Sequence, residues 1–479
     1  MFIGDTIAAI STARGKGGVA LLRISGPDAI SICQKVFSPK SGKKLSEYAP
    51  RTAIFGSIYA PDDRGEWNEI DNGLATVFSA PASFTGEDTV EICCHGGILL
   101  TQTVLTACLA AGARAAEAGE FTRRAFLNGK MDLSRAEAVA DLISSTSKAS
   151  HRLAMNQLKG DFSNELAGLR DKLLKLTTLM ELELDFSEED VEFADRTQLM
   201  QLCDDIDSVM TRLTDSFAVG NAVKNGVPVA IVGETNAGKS TLLNALLREE
   251  RAIVSDISGT TRDTIEGAMN IGGTTFRFID TAGVRETQDV VERIGIERAI
   301  EQLKKSSIAL WLVDPAADYT QMEITAKKIL PECKDKKLAV LINKSDTIKS
   351  DRLAEIMEWG RNLVAECGED IVWNSDDVWA ISARYRSNLD RLEEFLVRSA
   401  ALPAISSGDV VVTNVRHYEA LTRALKEIKE VKHGLNLGLS GDLVSEHLRA
   451  AIHNLSEIVG EVTNDEVLGN IFANFCIGK

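Results

Sequence analysis

The sequence predicts a multidomain chain: an α+β amino-terminal domain, then an all-α domain discontinuous in sequence, with an inserted α/β domain whose doubly wound sheet is mainly parallel. Three observations predict it. The length of 479 residues exceeds what one hydrophobic core usually serves. Apolar spacing changes from strand-like to helical near residue 126, to alternating strands and helices near 225, and back to helical near 386. The strand runs of the inserted part are continuously apolar, as befits strands covered on both faces.

Domain limits of 1–125, 126–224, 225–385 and 386–479 follow, the second and fourth forming one helical domain. In the first, short strand-like runs at 20–24, 74–78 and 89–94 alternate with Gly, Pro and Asp turns and one helical stretch at 101–111. Ser134 and Glu137 have capping-box spacing, which predicts a helix starting there and turning Val139, Leu142 and Ile143 inward. Leu166, Leu169, Leu173, Leu176 and Met180 step by three and four, the stripe of a long helix packed along one side. The acidic stretch 181–195 reads as a solvated loop. Strands are expected at 229–232, 275–279, 308–313, 338–342 and 378–381, each followed by helical sequence, and long helices cover 421–428 and 443–459.

Composition excludes several classes. No apolar run approaches the roughly 18 residues that span a bilayer, and the first residues carry an acid and no base ahead of their apolar stretch, unlike a secretory signal. A cytoplasmic location is expected. The eight cysteines lack zinc spacing and read as reduced thiols. A net charge of −17 argues against a surface coated for nucleic acid, so any RNA contact is local.

The chemistry concentrates in the inserted domain. Gly233 to Ser240 satisfies the phosphate-loop pattern between a strand and a helix, where Ala237 and Gly238 supply backbone, Lys239 reaches β and γ oxygens, and the Ser240 hydroxyl ligates Mg²⁺. Thr241 follows in the same first turn. Asp280, Thr281, Ala282 and Gly283 close a later strand, placing a carboxylate toward Mg²⁺ and an N–H toward the γ-phosphate. Asn343, Lys344 and Asp346 follow another strand, where the Asp346 carboxylate can accept from both N1 and N2 of guanine, a donor pair adenine lacks. Ser382, Ala383 and Arg384 stand where a loop touches guanine O6 through its backbone. Gly259, Thr260 and Thr261 occupy the first-switch position, with Thr261 the second Mg²⁺ ligand. Val284 cannot orient water as a Gln would there, leaving Glu286, Asp289 and Glu292 as carboxylates near the second switch.

End to end, the chain resembles the MnmE (TrmE) family of tRNA modification GTPases. Beyond the motifs above, the resemblance rests on Leu22 to Pro27, Ser83 to Asp88, His95-Gly96-Gly97, Gly119 to Lys130 and the terminal Cys476-Ile477-Gly478-Lys479. It implies a tetrahydrofolate-binding, dimerising amino-terminal domain and a G domain inserted into a split helical domain. It implies nucleotide contacts through Ser255, Asp256, Ile257 and Ser258 as well as Asn236, and K⁺ held by Asn236 with backbone near Ser255, Ile257 and Thr260. By the same resemblance Glu292 activates water, and Arg23, Glu87, Lys130 and Lys479 bind 5,10-methylene- or 5-formyl-tetrahydrofolate. Cys476 is either a nucleophile or a structural residue. Thr235 replaces the Pro usual in the family.

The expected activity is K⁺- and Mg²⁺-dependent GTP hydrolysis to GDP and phosphate, in a homodimer that joins the flavoprotein MnmG as a heterotetramer. That complex would modify C5 of the tRNA wobble uridine, with FAD on the partner and no membrane involved. Two alternatives stand beside it: a ribosome-assembly GTPase, or a non-enzymatic folate- and GTP-binding scaffold.

Overall fold

Two compact units emerge in the computed structural model, one from residues Met1–Ala140, Gln157–Leu174 and Arg449–Lys479, the other from Asp141–Asn156 and Lys175–Leu448. The structure describes residues 4–13, 15–185, 196–234, 236–247, 252–253, 265–279, 300–367, 370–400, 406, 408–439, 441–463, 465–473 and 475–478. Among them no helix is long and apolar enough to cross a membrane.

The first unit is built on a seven-stranded sheet: β1 Ile7–Ile10, β2 Val19–Ser25, β3 Phe37–Pro39, β4 Ala53–Pro61, β5 Trp67–Phe78, β6 Thr89–His95 and β7 Arg114–Ala115, ordered β3-β4-β5-β6-β2-β1-β7. Neighbours are antiparallel except β1 with β7. Period two sends Leu22, Ile24, Val90, Ile92 and Cys94 to the face covered by helices Ala29–Val36 and Ile98–Ala110. The opposite face carries Arg23, Ser25 and Glu91. This alternation places polar groups on a rigid platform.

Helix Leu133–Ser144 departs from its expected start. Asp132, not Ser134, caps it, its Oδ1 accepting from Arg135 N at 2.9 Å, while the Ser134 hydroxyl receives Gln157 Nε2 at 3.1 Å. The inward set shifts with it: Leu133, Ala136 and Ala138 are buried, Val139 and Leu142 half-buried, and Ile143 exposed. Leu166, Leu169, Leu173, Leu176 and Met180 are all buried on helix Asp161–Asp185, as their spacing predicts. Burial of each such Leu is worth roughly 1.5–3 kcal/mol over exposure.

The second unit contains β8 Val227–Gly233, β9 Ala252–Ile253, β10 Ile265–Ile271, β11 Thr274–Ile279, β12 Ile308–Val313, β13 Lys337–Ile342 and β14 Val378–Ala380, ordered β14-β13-β12-β8-β11-β10-β9. Strands β8, β11, β12, β13 and β14 run parallel. Val229 and Ile231 enter one core with helices Lys239–Leu247 and Leu389–Ala400; Ala230 and Val232 enter the other with Tyr319–Ile329 and Ser350–Cys367. Both faces are therefore covered. The sheet is not wholly parallel, because β10 pairs antiparallel with β11 and β9 with β10. Gly272 and Gly273, with φ of 58° and 83°, make the two-residue turn that only left-handed residues allow. That Gly-Gly was the missed signal for β10.

Within this unit the helical sequence before the sheet meets the helical sequence after it. Helix Arg196–Asp215 packs along Val415–Leu437, with Lys432 Nζ paired to Asp204 at 2.7 Å and Asp207 at 3.1 Å, and Phe217 stacked on Tyr418 at 4.4 Å.

Candidate functional site

The parallel strands all deliver their carboxyl ends to one edge, and the loops leaving them form the site. Gly233 ends β8 with φ 149°, and a Cβ there would overlap the Leu312 carbonyl oxygen of adjacent β12. Asn236 and Gly238 are left-handed, with φ 70° and 96°, so the chain curls before helix Lys239–Leu247 begins. Such a curl at a helix amino terminus aims N–H groups at an anion. Lys239 Nζ donates to the carbonyls of Gly233 at 2.9 Å and Glu234 at 2.7 Å. Burial pulls the Lys239 ammonium below its ordinary pKa, against the opposing pull of Glu234. Ser240 and Thr241 are exposed in the first helical turn.

Asn343 joins three loops. It is 2% exposed; its Nδ2 donates to Ala237 O at 2.8 Å, and its Oδ1 accepts from Ala383 N at 3.0 Å. A buried amide satisfied on both sides locks the phosphate loop to the loop after β14. Any Cβ at Gly238 would collide with that amide. Lys344, left-handed at φ 58°, sends Nζ to Asp314 Oδ2 at 2.6 Å, while Asp314 Oδ1 accepts from Ala316 N at 3.0 Å. Ser382 Oγ donates to Asp346 Oδ1 at 2.6 Å and accepts from Tyr385 N at 3.3 Å. Arg384 lies with its guanidinium 5.6 Å from the Tyr385 ring.

Asn236, Ala237, Gly238, Lys239, Ser240, Thr241, Asn343, Lys344, Asp346, Ser382, Ala383 and Arg384 are thus brought to one end of one sheet. Ser255, Asp256, Ile257, Ser258, Gly259, Thr260, Thr261, Asp280, Thr281, Ala282, Gly283, Glu292 and Lys479 lie outside the described residues, as does Thr235. Sequence reasoning missed Asp314, whose signal was its place directly after strand β12, and the Ser382 hydroxyl. It also assigned the Ser382 loop a backbone contact to guanine O6. In the structure the Ala383 amide donates to Asn343 Oδ1.

In the first unit Arg23, Glu87 and Lys130 surround one patch. Arg23 donates Nε and Nη2 to Glu91 Oε1 at 3.0 and 2.7 Å and stands 5.2 and 5.6 Å from the Phe84 and Phe121 ring centres. Ser25, two residues along β2 and on the same face, donates to Glu87 Oε2 at 2.8 Å. The Lys130 stem passes Gly86, and its Nζ donates to Pro81 O at 2.8 Å. Cations, a carboxylate and the half-buried Phe84 ring are a set suited to a flat heteroaromatic ring bearing an anionic tail. The chain end docks nearby: Gly119 N donates to Cys476 O at 3.3 Å, Ile477 bridges Ala118, and Ser11 Oγ donates to Gly478 O at 3.0 Å. Cys476 is exposed, whereas burial raises the thiol pKa of Cys108, Cys203 and Cys333 to about 12. Cys33, Cys93, Cys94, Cys108, Cys203, Cys333 and Cys476 are free thiols. Among the described residues no cluster of three His, Cys, Asp or Glu could hold a metal.

Burial would raise the Asp5 and Glu120 carboxyls, but hydrogen bonds from Arg114 and Arg124 outweigh it and hold both below their ordinary values. A depressed folded-state pKa stabilises above the unfolded value, and that contribution is lost as pH falls through the folded one. The difference in thermal midpoint between wild type and Asp5→Asn is therefore expected to be largest near neutrality and to shrink below about pH 4. A difference independent of pH in thermal scans would contradict it.

Residues 133–476 match the MnmE helical domain and residues 6–130 match the GTP-binding protein TrmE N-terminus. The tRNA modification GTPase MnmE of Bacteroides fragilis is 54% identical over 99% of both chains, that of Bacteroides thetaiotaomicron 53% over 99% of both, and that of Christiangramia forsetii 49% over 100% of both. With likeness of this depth along its whole length, the chain belongs to the MnmE (TrmE) family of tRNA modification GTPases.

Proposed function

We propose that this protein binds and hydrolyses GTP in a K⁺-dependent cycle that, together with an MnmG-type flavoprotein, adds a carboxymethylaminomethyl or aminomethyl group at C5 of the tRNA wobble uridine. The observation that carries the nucleotide part is the pair of hydrogen bonds made by the Asn343 amide, which ties the phosphate loop to Ala383, next to the Asp346–Ser382 pair. One buried side chain thereby sets the distance between a phosphate cradle and a guanine-reading carboxylate. Lys239 leaves its own loop carbonyls for the β and γ oxygens, and Ser240 offers its hydroxyl to Mg²⁺. Asn236, with Ser255, Ile257 and Thr260, would hold K⁺, and Ser240 with Thr261 would hold Mg²⁺; cations at these residues would supply positive charge against that accumulating on the phosphates. Glu292 orients the attacking water, the task Val284 cannot perform.

The amino-terminal patch takes the one-carbon tetrahydrofolate: Arg23 and Lys130, with Lys479, suit its glutamate carboxylates, and Glu87 suits its ring donors. Homodimerisation, FAD on the partner and a cytoplasmic setting belong to the same proposal. Mass spectrometry of tRNA from a deletion strain carrying this gene tests the whole reading. Restored wobble-uridine modification is expected; ribosomal subunit defects with modification intact would favour a ribosome-assembly GTPase, and restoration by a hydrolysis-dead variant would favour a scaffold.

For the chemical step, Glu292→Ala is expected to lower kcat about 100-fold or more while GTP affinity changes less than about three-fold. Phosphate-release kinetics beside equilibrium binding check it, and undiminished turnover removes Glu292 from its role. The same assay in Na⁺ instead of K⁺ is expected to slow the wild-type protein sharply; equal rates contradict the cation assignment.

A further inference from the structure

Arg124, on helix Glu120–Leu127, is 8% exposed yet meets three carboxylates. Its Nη1 donates to the Asp5 carbonyl at 2.9 Å and to Glu87 Oε1 and Oε2 at 3.2 and 3.1 Å; its Nη2 donates to Asp5 Oδ1 at 2.6 Å and Glu120 Oε1 at 3.1 Å. Arg114 closes the cluster from the other side, with Nε on Asp5 Oδ2 at 2.7 Å and Nη1 on Glu120 Oε2 at 3.1 Å. The charges do not balance. Among the described residues Asp5, Glu87 and Glu120 face two guanidinium groups, and while Asp5 and Glu120 each receive both, Glu87 receives only Arg124 and the Ser25 hydroxyl. The surplus negative charge therefore falls on Glu87, whose side chain is 25% exposed.

The orientation of that carboxylate is set from beneath. The planar guanidinium is already anchored at Asp5 and Glu120 before it reaches Glu87, so its fork fixes direction as well as charge. Ser83 Oγ, donating to the Glu87 carbonyl at 2.6 Å, holds the backbone of the same residue. We propose that Arg124 is a positioning residue for ligand recognition: it aims Glu87 as the acceptor for adjacent N–H donors of a 2-amino-4-oxo heterocycle, the ring of a tetrahydrofolate. This rests on the folate reading above. It adds that the specificity of the patch lies in a buried arginine that never touches the ligand, and that Arg cannot be replaced by Lys without cost. A single ammonium lacks the fork needed to serve Asp5, Glu120 and Glu87 in one plane.

Calorimetry with 5-formyl-tetrahydrofolate on the full chain tests it, using Glu87→Gln, Arg124→Gln, Arg124→Lys and the Glu87→Gln/Arg124→Gln pair, with circular dichroism confirming fold. Glu87→Gln and Arg124→Gln are each expected to weaken binding about ten-fold or more, Arg124→Lys to recover part of the loss, and the double variant to bind no worse than Glu87→Gln alone. That non-additivity marks action through Glu87 and would not arise from a general loss of packing. If the wild type does not bind, or Glu87→Gln binds as well as wild type, the folate reading itself fails. If Glu87→Gln loses affinity but Arg124→Gln does not, or the two losses add, the positioning role fails while the folate reading stands. Should Arg124→Gln not fold, Arg124→Lys alone decides: a loss of about five-fold that vanishes in the Glu87→Gln background supports the proposal, and unchanged affinity overturns it.

Discussion

Asp346→Asn is expected to lower GTP affinity about 100-fold or more and to open the site to xanthosine triphosphate. On the proposed reading the carboxylate accepts two hydrogens, from N1 and the exocyclic N2 of guanine. An amide can accept only one and turns its NH₂ against the other, whereas xanthine replaces the N2 amine with a carbonyl that such an NH₂ can meet. Ser382 sharpens the effect, because its hydroxyl donates to Asp346 Oδ1 and holds the group in the plane of the base. Ser382→Ala should therefore weaken GTP binding by a smaller factor, about ten-fold, without admitting xanthine. Competition binding with guanosine, xanthosine and adenosine triphosphates measures both variants. Asp346→Asn retaining guanine preference would remove Asp346 from base recognition.

The second large effect is expected at Gly233→Ala. The residue combines φ 149° with a position where any Cβ meets the Leu312 carbonyl, a backbone atom inside the central β12–β8 pair that cannot turn away. Strained backbone costs about 1–3 kcal/mol and forcing an extra carbon into a packed sheet about as much again. The G-domain transition should drop by roughly 5–15 °C. Nucleotide binding should fall with it, because the displaced strand end is the start of the phosphate loop. Differential scanning calorimetry with and without GDP separates the two losses. A thermal midpoint within about 1 °C of wild type would show that the strand end yields at no cost.

Much of this was legible before folding was considered. Phosphate-loop glycines, the Asn343-Lys344-Ser345-Asp346 run and the strand runs are local patterns, since backbone curl, base donors and two-sided burial each impose their residue types over a few positions. Helix starts were less legible: Asp132 and Ser134 both cap well in isolation, and only the demand of Gln157 on the Ser134 side chain separates them. Strand β10 was missed because its side chains alternate too weakly to mark it, although Gly272 and Gly273 announced its turn. No local pattern gave a role to Arg124 or Asp314.

By itself, then, the sequence determined the chemistry at each loop: which groups can cradle phosphate, read guanine or carry charge. Their meeting was decided by tertiary structure alone. Parallel strands deliver Gly233, Asp314, Asn343 and Ser382 to one edge from positions spread over residues 233–382, and a buried side chain accepts the partners that packing brings. Hydrogen bonds such as those of Asn343 and Arg124 exist only once burial has removed water as the competing partner, and no local pattern of residues records that.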